Sequence, residues 1–193
     1  SSRLLPGGIG CIKLPLVTSA SEGEVQEALT RLKSGGANRF ILDLRNNPGG
    51  DFEVGMRTAS LFVPEGPILQ VMKRGRLQPI YARRPFTFGF PLAVLVNGGT
   101  ASAAEIIAGA ISENKAGILV GSRTFGKGLV QSVFSLTGQT ALKLTTAAYL
   151  TPSGKDLNGV GLQPDILVPE PSGGGDDPVL KKAIELLKEE KKV

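Results

Sequence analysis

The sequence predicts an α/β protein in which a mixed sheet is flanked by helices and an additional antiparallel β portion is present. Short, nearly all-apolar runs, typical of strands buried on both faces of a sheet, alternate with segments of helical periodicity. From residue 131 to residue 150, apolar and polar residues alternate instead, as they do in antiparallel strands. The 193 residues, 41% of them hydrophobic and 20% charged, suffice for one domain with a sizeable core.

The first part of the chain predicts the order strand, helix, strand, helix. A strand is expected over residues 9–17. The helix after it has apolar residues at spacings of four and three, namely Val25, Leu29 and Leu32. Residues 40–44 form an apolar run that indicates a buried strand, and the turn-rich residues 45–50 connect it to a helix around residues 56–62.

The rest of the chain predicts further strands and two more helices. The strands are expected at residues 68–73, 78–82, 91–96, 117–120 and 129–136, and the helices at residues 101–113 and 178–191. The first two of these strands form a hairpin around Arg74-Gly75-Arg76. We divide the chain into a core of residues 1–170, a glycine-rich linker of residues 171–177, and a C-terminal amphipathic helix, residues 178–193, that packs on the core.

The absence of histidine and the presence of a single cysteine exclude several kinds of catalytic and metal site. The chain contains no histidine, which excludes Ser-His-Asp and Cys-His catalysis, a histidine general base and histidine metal ligands. Its single cysteine excludes an intramolecular disulfide and a multi-cysteine metal site built from one chain. If the protein is a hydrolase, another type of residue must accept the proton.

A formal net charge of +5 is compatible with a basic surface that binds polyanions such as nucleic acid. The densest basic stretch is Lys73, Arg74, Arg76, Arg83 and Arg84, followed by Phe86, Phe88 and Phe90. Basic residues interleaved with aromatic ones can bind nucleic acid, but this strand-and-loop segment favours a solvated hairpin. We therefore predict no nucleic-acid partner. Because the apolar runs are far shorter than the about 18 residues of a membrane helix, we also predict no transmembrane segment.

Residues 121–128 nearly match the phosphate-binding motif G-x-x-x-x-G-K-[ST], and they follow a predicted strand. The eighth position of that motif supplies a hydroxyl to Mg²⁺, and the loop opens a helix. Here the eighth residue is Gly128, and the residues after it indicate a strand. The segment therefore does not predict a nucleotide site.

Residues 97–105 indicate a strand end, a flexible turn and a helix start. One interpretation is structural, because Ser102 and Glu105 have the spacing of a capping box, whose side chains satisfy orphan amides. The other is catalytic. A serine raised on a turn at a helix N-terminus exposes its hydroxyl beside backbone N–H groups and the positive end of the helix dipole. Such a position suits a nucleophile.

Without histidine, a serine nucleophile needs a different base, and a buried lysine is the known alternative. An amine that is neutral at pH 7 requires a lysine pKa lowered by about three units, or roughly 4 kcal/mol. Desolvation can lower the pKa to this extent. Lys127 lies between two glycines in an apolar stretch with no acidic neighbour in sequence. The alternative interpretation is a solvated loop lysine.

Four motifs occur in a fixed order along the chain: residues 45–50 (RNNPGG), 97–106 (NGGTASAAEI), 126–131 (GKGLVQ) and 157–166 (LNGVGLQPDI). Over residues 8–187, this order resembles the carboxy-terminal processing peptidases, or tail-specific proteases. The 25 residues from Ser102 to Lys127 match the family's spacing between nucleophile and base. The resemblance implies a crotonase- or ClpP-like core that carries a Ser-Lys dyad.

The resemblance also implies a role for each site residue. Ser102 would be the nucleophile and Lys127 the general base, with Gln131 orienting the lysine. If the segment is a strand, residues 127, 129 and 131 share one face, so Lys127 and Gln131 can point into the same cleft. The oxyanion hole would consist of the backbone N–H groups of Ala103 and of a glycine in the 48–50 turn, with Gly49 the first choice.

The implied activity is ATP-independent serine endopeptidase hydrolysis of protein C-terminal tails through an acyl-enzyme, with no cofactor. The implied partner is a protein or peptide with an unstructured, apolar C-terminal tail. The implied location is extracytoplasmic, in the periplasm, in the thylakoid lumen or at a membrane. Family members commonly carry a PDZ domain before this core, and the sequence predicts none here.

Two alternatives remain open. The first is a catalytically silent core of the same fold that binds a partner protein or an apolar ligand. The second is a crotonase-like acyl-CoA enzyme, because similar sheets carry oxyanion holes for thioesters. The sequence shows no adenine- or pantetheine-recognition signal in support of the second.

Overall fold

The computed structural model describes residues 1–73, 75–82, 88–138, 140–169 and 176–189. Its strands are β1 (Ser2–Leu5), β2 (Ile9–Lys13), β3 (Arg39–Asp43), β4 (Pro67–Lys73), β5 (Arg76–Tyr81), β6 (Leu92–Val96), β7 (Ile118–Gly121), β8 (Leu129–Ser135), β9 (Ala141–Leu150) and β10 (Ile166–Leu167). Its helices are α1 (Ser21–Ser34), α2 (Phe52–Ala59), α3 (Ala103–Glu113) and α4 (Pro178–Glu189).

The strands form two sheets. The main sheet has the order β1-β2-β3-β6-β7-β10, in which β1 is antiparallel to β2 and the other pairs are parallel. The second sheet has the order β5-β4-β9-β8, and all its pairs are antiparallel. The predicted α/β class, with a mixed sheet and an antiparallel portion, is confirmed. The antiparallel portion also includes the hairpin of β4 and β5, from the middle of the chain.

Successive residues of the central strands enter two different hydrophobic cores. In β3, Phe40 and Leu42 belong to the core that includes residues of α1, α2 and α3, whereas Ile41 belongs to the core on the other face. Every residue of β3 and of β6 is buried, which explains their nearly continuous apolar sequences. The second core is covered by α4 with residues four apart: Val179, Ala183 and Leu187.

Some boundaries differ from those that the sequence predicted. The first strand ends at Lys13, not at residue 17, and α3 begins at Ala103. The sequence does not predict β1, nor does it predict β10, which is only two residues long. Arg74, Arg83, Arg84, Phe86, most of the predicted linker and the last four residues lie outside the described part. Within that part, no helix combines the length and apolar character needed to cross a membrane.

Arg45 connects α4 to the loop after β3. Its guanidinium donates hydrogen bonds of 2.8–2.9 Å to both carboxylate oxygens of Asp43 and to both of Asp177. Asp177 directly precedes α4 and also accepts a hydrogen bond from the Leu180 N–H. The hydrogen bonds to Asp43 are the main reason that the pKa of Arg45 is raised. Asp177 therefore caps α4 and ties it to the core.

We expect Asp177→Asn to lower the free energy of unfolding by about 1 kcal/mol at pH 7, because asparagine keeps the helix cap but loses the ion pair. Burial raises the pKa of Asp177, but hydrogen bonds from Arg45 and Leu180 lower it further, so that it lies below its usual value. Its stabilising effect is therefore complete above the usual aspartate pKa of about 3.9 and is lost as the pH falls through the lower folded-state pKa.

Urea unfolding at several pH values measures this difference. Asp176→Asn is the matched control, since Asp176 is 80% exposed and forms a surface ion pair with Lys181. A difference between Asp177→Asn and the unsubstituted chain that persists unchanged at the lowest pH would contradict this account, as would an equal effect of the control.

Candidate functional site

Three loops meet at one edge of the main sheet. Strands β3, β6 and β7 are parallel neighbours, so their carboxyl ends lie side by side. The loops that leave them are residues 44–51, 97–102 and 122–128. Ligand sites of open α/β sheets form outside the carboxyl ends of the strands. The fold therefore brings together three of the four sequence motifs, which lie up to about 80 residues apart in the chain.

Asparagine side chains join the first two loops. Asn97 Oδ1 accepts hydrogen bonds from the backbone N–H groups of Asn46 and Gly99, and Asn97 Nδ2 donates to Asn46 Oδ1 at 2.9 Å. The buried Thr100 hydroxyl donates to the Leu44 carbonyl oxygen at 2.9 Å. Each loop therefore supplies the hydrogen-bond partners that the other needs, and the two are fixed as one unit.

The Gly49 turn lies directly against the Ser102 turn. Gly49 has a φ of 97°, and a Cβ atom placed on it would lie 2.7 Å from Ser102 Cβ and 2.8 Å from the Ala103 nitrogen. Only glycine allows this approach. The Gly49 N–H donates to Asn47 Oδ1 at 2.9 Å. The N–H groups of Gly50 and Ala103 have no hydrogen-bond partner among the described residues.

Ser102 has a backbone conformation that is rare for a residue with a side chain. Its φ is 55° and its ψ is −121°, and such a conformation typically costs about 1–3 kcal/mol. Ser102 and Glu105 form the predicted capping box, in which the Ser102 N–H donates to Glu105 Oε2 at 2.9 Å and the Ser102 side chain faces the Glu105 N–H. The proton of the Ser102 hydroxyl is not donated to any described residue. The strained turn thus leaves the hydroxyl proton free at the N-terminus of α3, as in a nucleophile elbow.

The third loop carries Lys127 and does not bind phosphate in the manner of a P-loop. Gly128 leads directly into strand β8, so no helix N-terminus follows the glycine-rich segment. The fourth motif supports this loop from behind. The Gly159 N–H donates to the Gly126 carbonyl oxygen at 2.9 Å, and the Thr124 N–H donates to that of Leu162 at 3.1 Å.

A buried carboxylate connects the second loop to the third. Glu105 is fully buried, and its two oxygens accept four hydrogen bonds. The donors are the backbone N–H groups of Ser102, Gly126 and Lys127, at 2.8–2.9 Å, and the Thr124 hydroxyl, at 2.6 Å. One side chain therefore sets the distance between the backbone of Ser102 and that of Lys127.

A cleft of about 580 Å³ lies between the loops and β8. Ser102, Lys127 and Gln131 all line it, together with Pro48 and Gly50 of the first loop. In the described part of the chain, no hydrogen bond or ion pair engages the Lys127 amine, and the Ser102 hydroxyl donates none. The two groups thus share a cleft without bonding to each other, and no ion pair joins Lys127 to Asp51 or Glu53, which also line the cleft.

Lys127 and Gln131 line the same cleft. Lys127 itself precedes β8, which begins at Leu129. The pairing of β8 with β9 shifts between Val130 and Gln131, where β9 skips Thr146, so the extra residue lies on β9. Leu129 and Val130 line the cleft as well.

Several residues of the site carry no clear signal in the sequence. Glu105 was recognised only as a capping residue, because its contacts with the third loop join positions 19–22 residues away. Thr124 lies inside the sequence that resembles a phosphate-binding loop, and its hydroxyl gives no hint that it bonds a carboxylate. The asparagines lie within the recognised motifs, but spacing alone does not reveal that they join two loops.

Comparisons with known proteins identify relatives of this chain. Residues 8–168 match the family model described as Peptidase family S41. The chain is 43% identical over 168 residues to the carboxyl-terminal-processing protease of Synechocystis sp., an alignment that covers 86% of this chain and 39% of that protein. It is 40% identical over 180 residues to the chloroplastic carboxyl-terminal-processing peptidase 2 of Arabidopsis thaliana, covering 88% of this chain and 35% of that protein.

A solved structure, described as a photosystem II D1 C-terminal processing protease, is also similar. Its TM-score is 0.77 at 37% sequence identity, and the match covers 86% of this chain and 45% of that one. The chain spans about two fifths of the length of the curated relatives that it matches.

We expect Glu105→Gln to lower the free energy of unfolding by about 3 kcal/mol, because the glutamine NH₂ group would face N–H donors and leave them unpaired. Urea denaturation of the two forms measures this loss. Glu27→Gln, at a side chain that is 77% exposed on α1, is the control and should change stability by less than about 0.5 kcal/mol. Equal unfolding midpoints for Glu105→Gln and the unsubstituted chain would contradict this role of the carboxylate.

Proposed function

Because the chain belongs to peptidase family S41, we propose that it is a serine endopeptidase of the C-terminal processing type, with Ser102 as nucleophile and Lys127 as general base. One observation carries the proposal. A serine on a strained turn, with its hydroxyl proton free, shares a cleft with a lysine that has no acidic partner among the described residues. In a chain without histidine, a lysine is the established alternative for activating a serine.

The reaction would proceed in two stages. Ser102 Oγ attacks the scissile carbonyl carbon while the neutral Lys127 amine accepts the hydroxyl proton. When the tetrahedral intermediate collapses, the C–N bond breaks, Lys127 gives the proton to the leaving amine, and an ester remains on Ser102. Lys127 then takes a proton from water as the water attacks the ester, and it returns a proton to the serine oxygen. These proton and acyl transfers need neither ATP nor a metal.

The oxyanion that forms in each stage needs N–H donors. The Ala103 N–H is one, because it is unpaired and adjoins the nucleophile at the start of α3. A glycine of the 48–50 turn would supply the second. The Gly49 N–H must first exchange Asn47 Oδ1 for the substrate oxygen, whereas the Gly50 N–H is unpaired among the described residues and Gly50 lines the cleft.

Gln131 would orient the lysine. Its amide lines the same cleft as Lys127 and can accept a hydrogen bond from the amine and donate one to solvent or substrate. The C-terminal helix α4 would be part of the catalytic unit, since Asp177 bonds Arg45 at the start of the loop that carries Gly49.

The substrate would be a protein or peptide with an unstructured, apolar C-terminal tail. Phe52, Leu129 and Val130 contribute apolar surface to a cleft that the charged side chains of Asp51, Glu53 and Lys143 also line. Strand β8 lies at the edge of the second sheet, so its outer backbone groups can pair with an extended chain but not with a folded one. By its similarity to the C-terminal processing peptidases, the protein would act outside the cytoplasm, in the periplasm, in the thylakoid lumen or at a membrane.

The competing function is a catalytically silent core that binds a partner protein or an apolar ligand. The strained backbone of Ser102 and the burial of Glu105 both cost stability, and binding alone gives no reason to keep them. Catalysis explains both costs, because proton transfer requires the serine and the lysine to be held at a fixed distance from each other.

We expect Ser102→Ala and Lys127→Arg each to reduce cleavage of an unfolded, apolar-tailed substrate by at least about 10³-fold. Alanine removes the nucleophile, and arginine keeps the positive charge but cannot accept a proton. Mass spectrometry of the products measures the cleavage. Lys155→Arg makes the same change at a side chain that is 74% exposed and should leave the rate unchanged.

Cleavage that survives in Ser102→Ala or Lys127→Arg would contradict the dyad. If the folded, unsubstituted chain binds such a substrate without cleaving it, the silent binding core is the correct function.

A further inference from the structure

Tyr149, near the end of β9, has a hydroxyl group that contacts both residues of the proposed dyad. Its side chain is 1% exposed. The hydroxyl oxygen lies within hydrogen-bond distance of the carbonyl oxygen of Ser102, at 3.1 Å, and of that of Lys127, and its single hydrogen is shared between the two. The ring packs against Phe52, with 5.8 Å between ring centroids. The phenol therefore lies behind the cleft, between the turn of the nucleophile and the turn of the base.

Tyr149 complements Glu105. The Glu105 carboxylate accepts hydrogen bonds from the N–H groups of Ser102 and Lys127, and the Tyr149 hydroxyl contacts the C=O groups of the same two residues. Two buried side chains from different elements thus hold the N–H and C=O groups of both dyad residues. This double contact restricts rotation of the Ser102 turn relative to the Lys127 loop.

The phenol is suited to act only as a donor. Burial raises the pKa of Tyr149 well above its usual value, and the neighbouring Glu105 carboxylate raises it further. The hydroxyl therefore stays protonated throughout the pH range in which a peptidase works. The Lys127 amine lies at the end of a flexible four-carbon stem, so its reach towards Ser102 Oγ depends on where the backbone of the loop is held.

We propose that Tyr149 is a positioning residue for the Ser-Lys dyad, which holds the Lys127 backbone at the distance from Ser102 that proton transfer requires. The inference rests on the proposed function. Tyr149 touches neither the substrate nor the reacting atoms, and it acts through the two carbonyl groups that it bonds.

The chemistry of the leaving group separates a positioning role from a purely structural one. Cleavage of a peptide amide needs Lys127 twice during acylation, first to accept the serine proton and then to protonate the leaving amine. A p-nitrophenyl ester releases a stable anion that needs no proton, so its cleavage omits one of the proton transfers of Lys127, although the lysine must still accept the serine proton and deprotonate water. A loss of folded protein, in contrast, lowers both rates by the same factor.

The test compares Tyr149→Phe, which removes only the hydroxyl, with Tyr81→Phe, the same change at a side chain on β5 that is 59% exposed. Both variants and the unsubstituted chain are assayed with a fluorogenic apolar peptide amide and with the p-nitrophenyl ester of an apolar acyl group. For Tyr149→Phe we expect kcat on the amide to fall at least about tenfold, with less than about a threefold change in KM, and the ester rate to fall by a clearly smaller factor than the amide rate. Tyr81→Phe should match the unsubstituted chain.

An equal fall in amide and ester cleavage, or unchanged amide cleavage, would overturn the positioning role and leave the dyad intact. Ser102→Ala is assayed in parallel. If it retains amide cleavage, or if the unsubstituted chain shows none, the proposed function itself fails, and the positioning role fails with it.

Discussion

A carboxylate without access to water must be surrounded by hydrogen-bond donors, and this requirement organises the loops at the edge of the main sheet. Glu105 is fully buried on the first turn of α3, and the donors that it needs come from both sides of the cleft. Ser102 supplies one N–H, while the loop after β7 supplies two N–H groups and the Thr124 hydroxyl. The loop can satisfy the carboxylate in this way only when Lys127 lies opposite Ser102.

The rest of the site reinforces that arrangement. The side-chain amides of Asn46 and Asn97 lock the loop after β3 to the loop after β6, so the Gly49 turn is held against the nucleophile. The strain at Ser102 persists because its N–H and its C=O are both engaged by buried side chains. Among the described residues, none accepts the Ser102 hydroxyl proton or pairs with the Lys127 amine, and both groups face the same cleft.

The sequence was sufficient to predict those parts of the fold and site whose signals are local. The runs that became β3 and β6 are apolar because both faces of each strand are buried, and the glycine-rich motifs mark the turns that carry Ser102 and Lys127. The contacts of Glu105 join two separate loops, and no local pattern reveals them. The contacts of Tyr149 were equally hidden, because its partners are backbone carbonyls 47 and 22 residues away, and a carbonyl group is common to every residue.

The central claim is that Ser102 and Lys127 form a catalytic pair, and the most direct measurement is to trap the covalent intermediate. An apolar-tailed peptide is mixed with the protein and quenched in acid during the first turnover, and the digested protein is analysed by mass spectrometry. The account predicts that the N-terminal part of the substrate is attached as an ester to the peptide that contains Ser102. An adduct on any other residue, or product formed in that turnover with no adduct on Ser102, would contradict it.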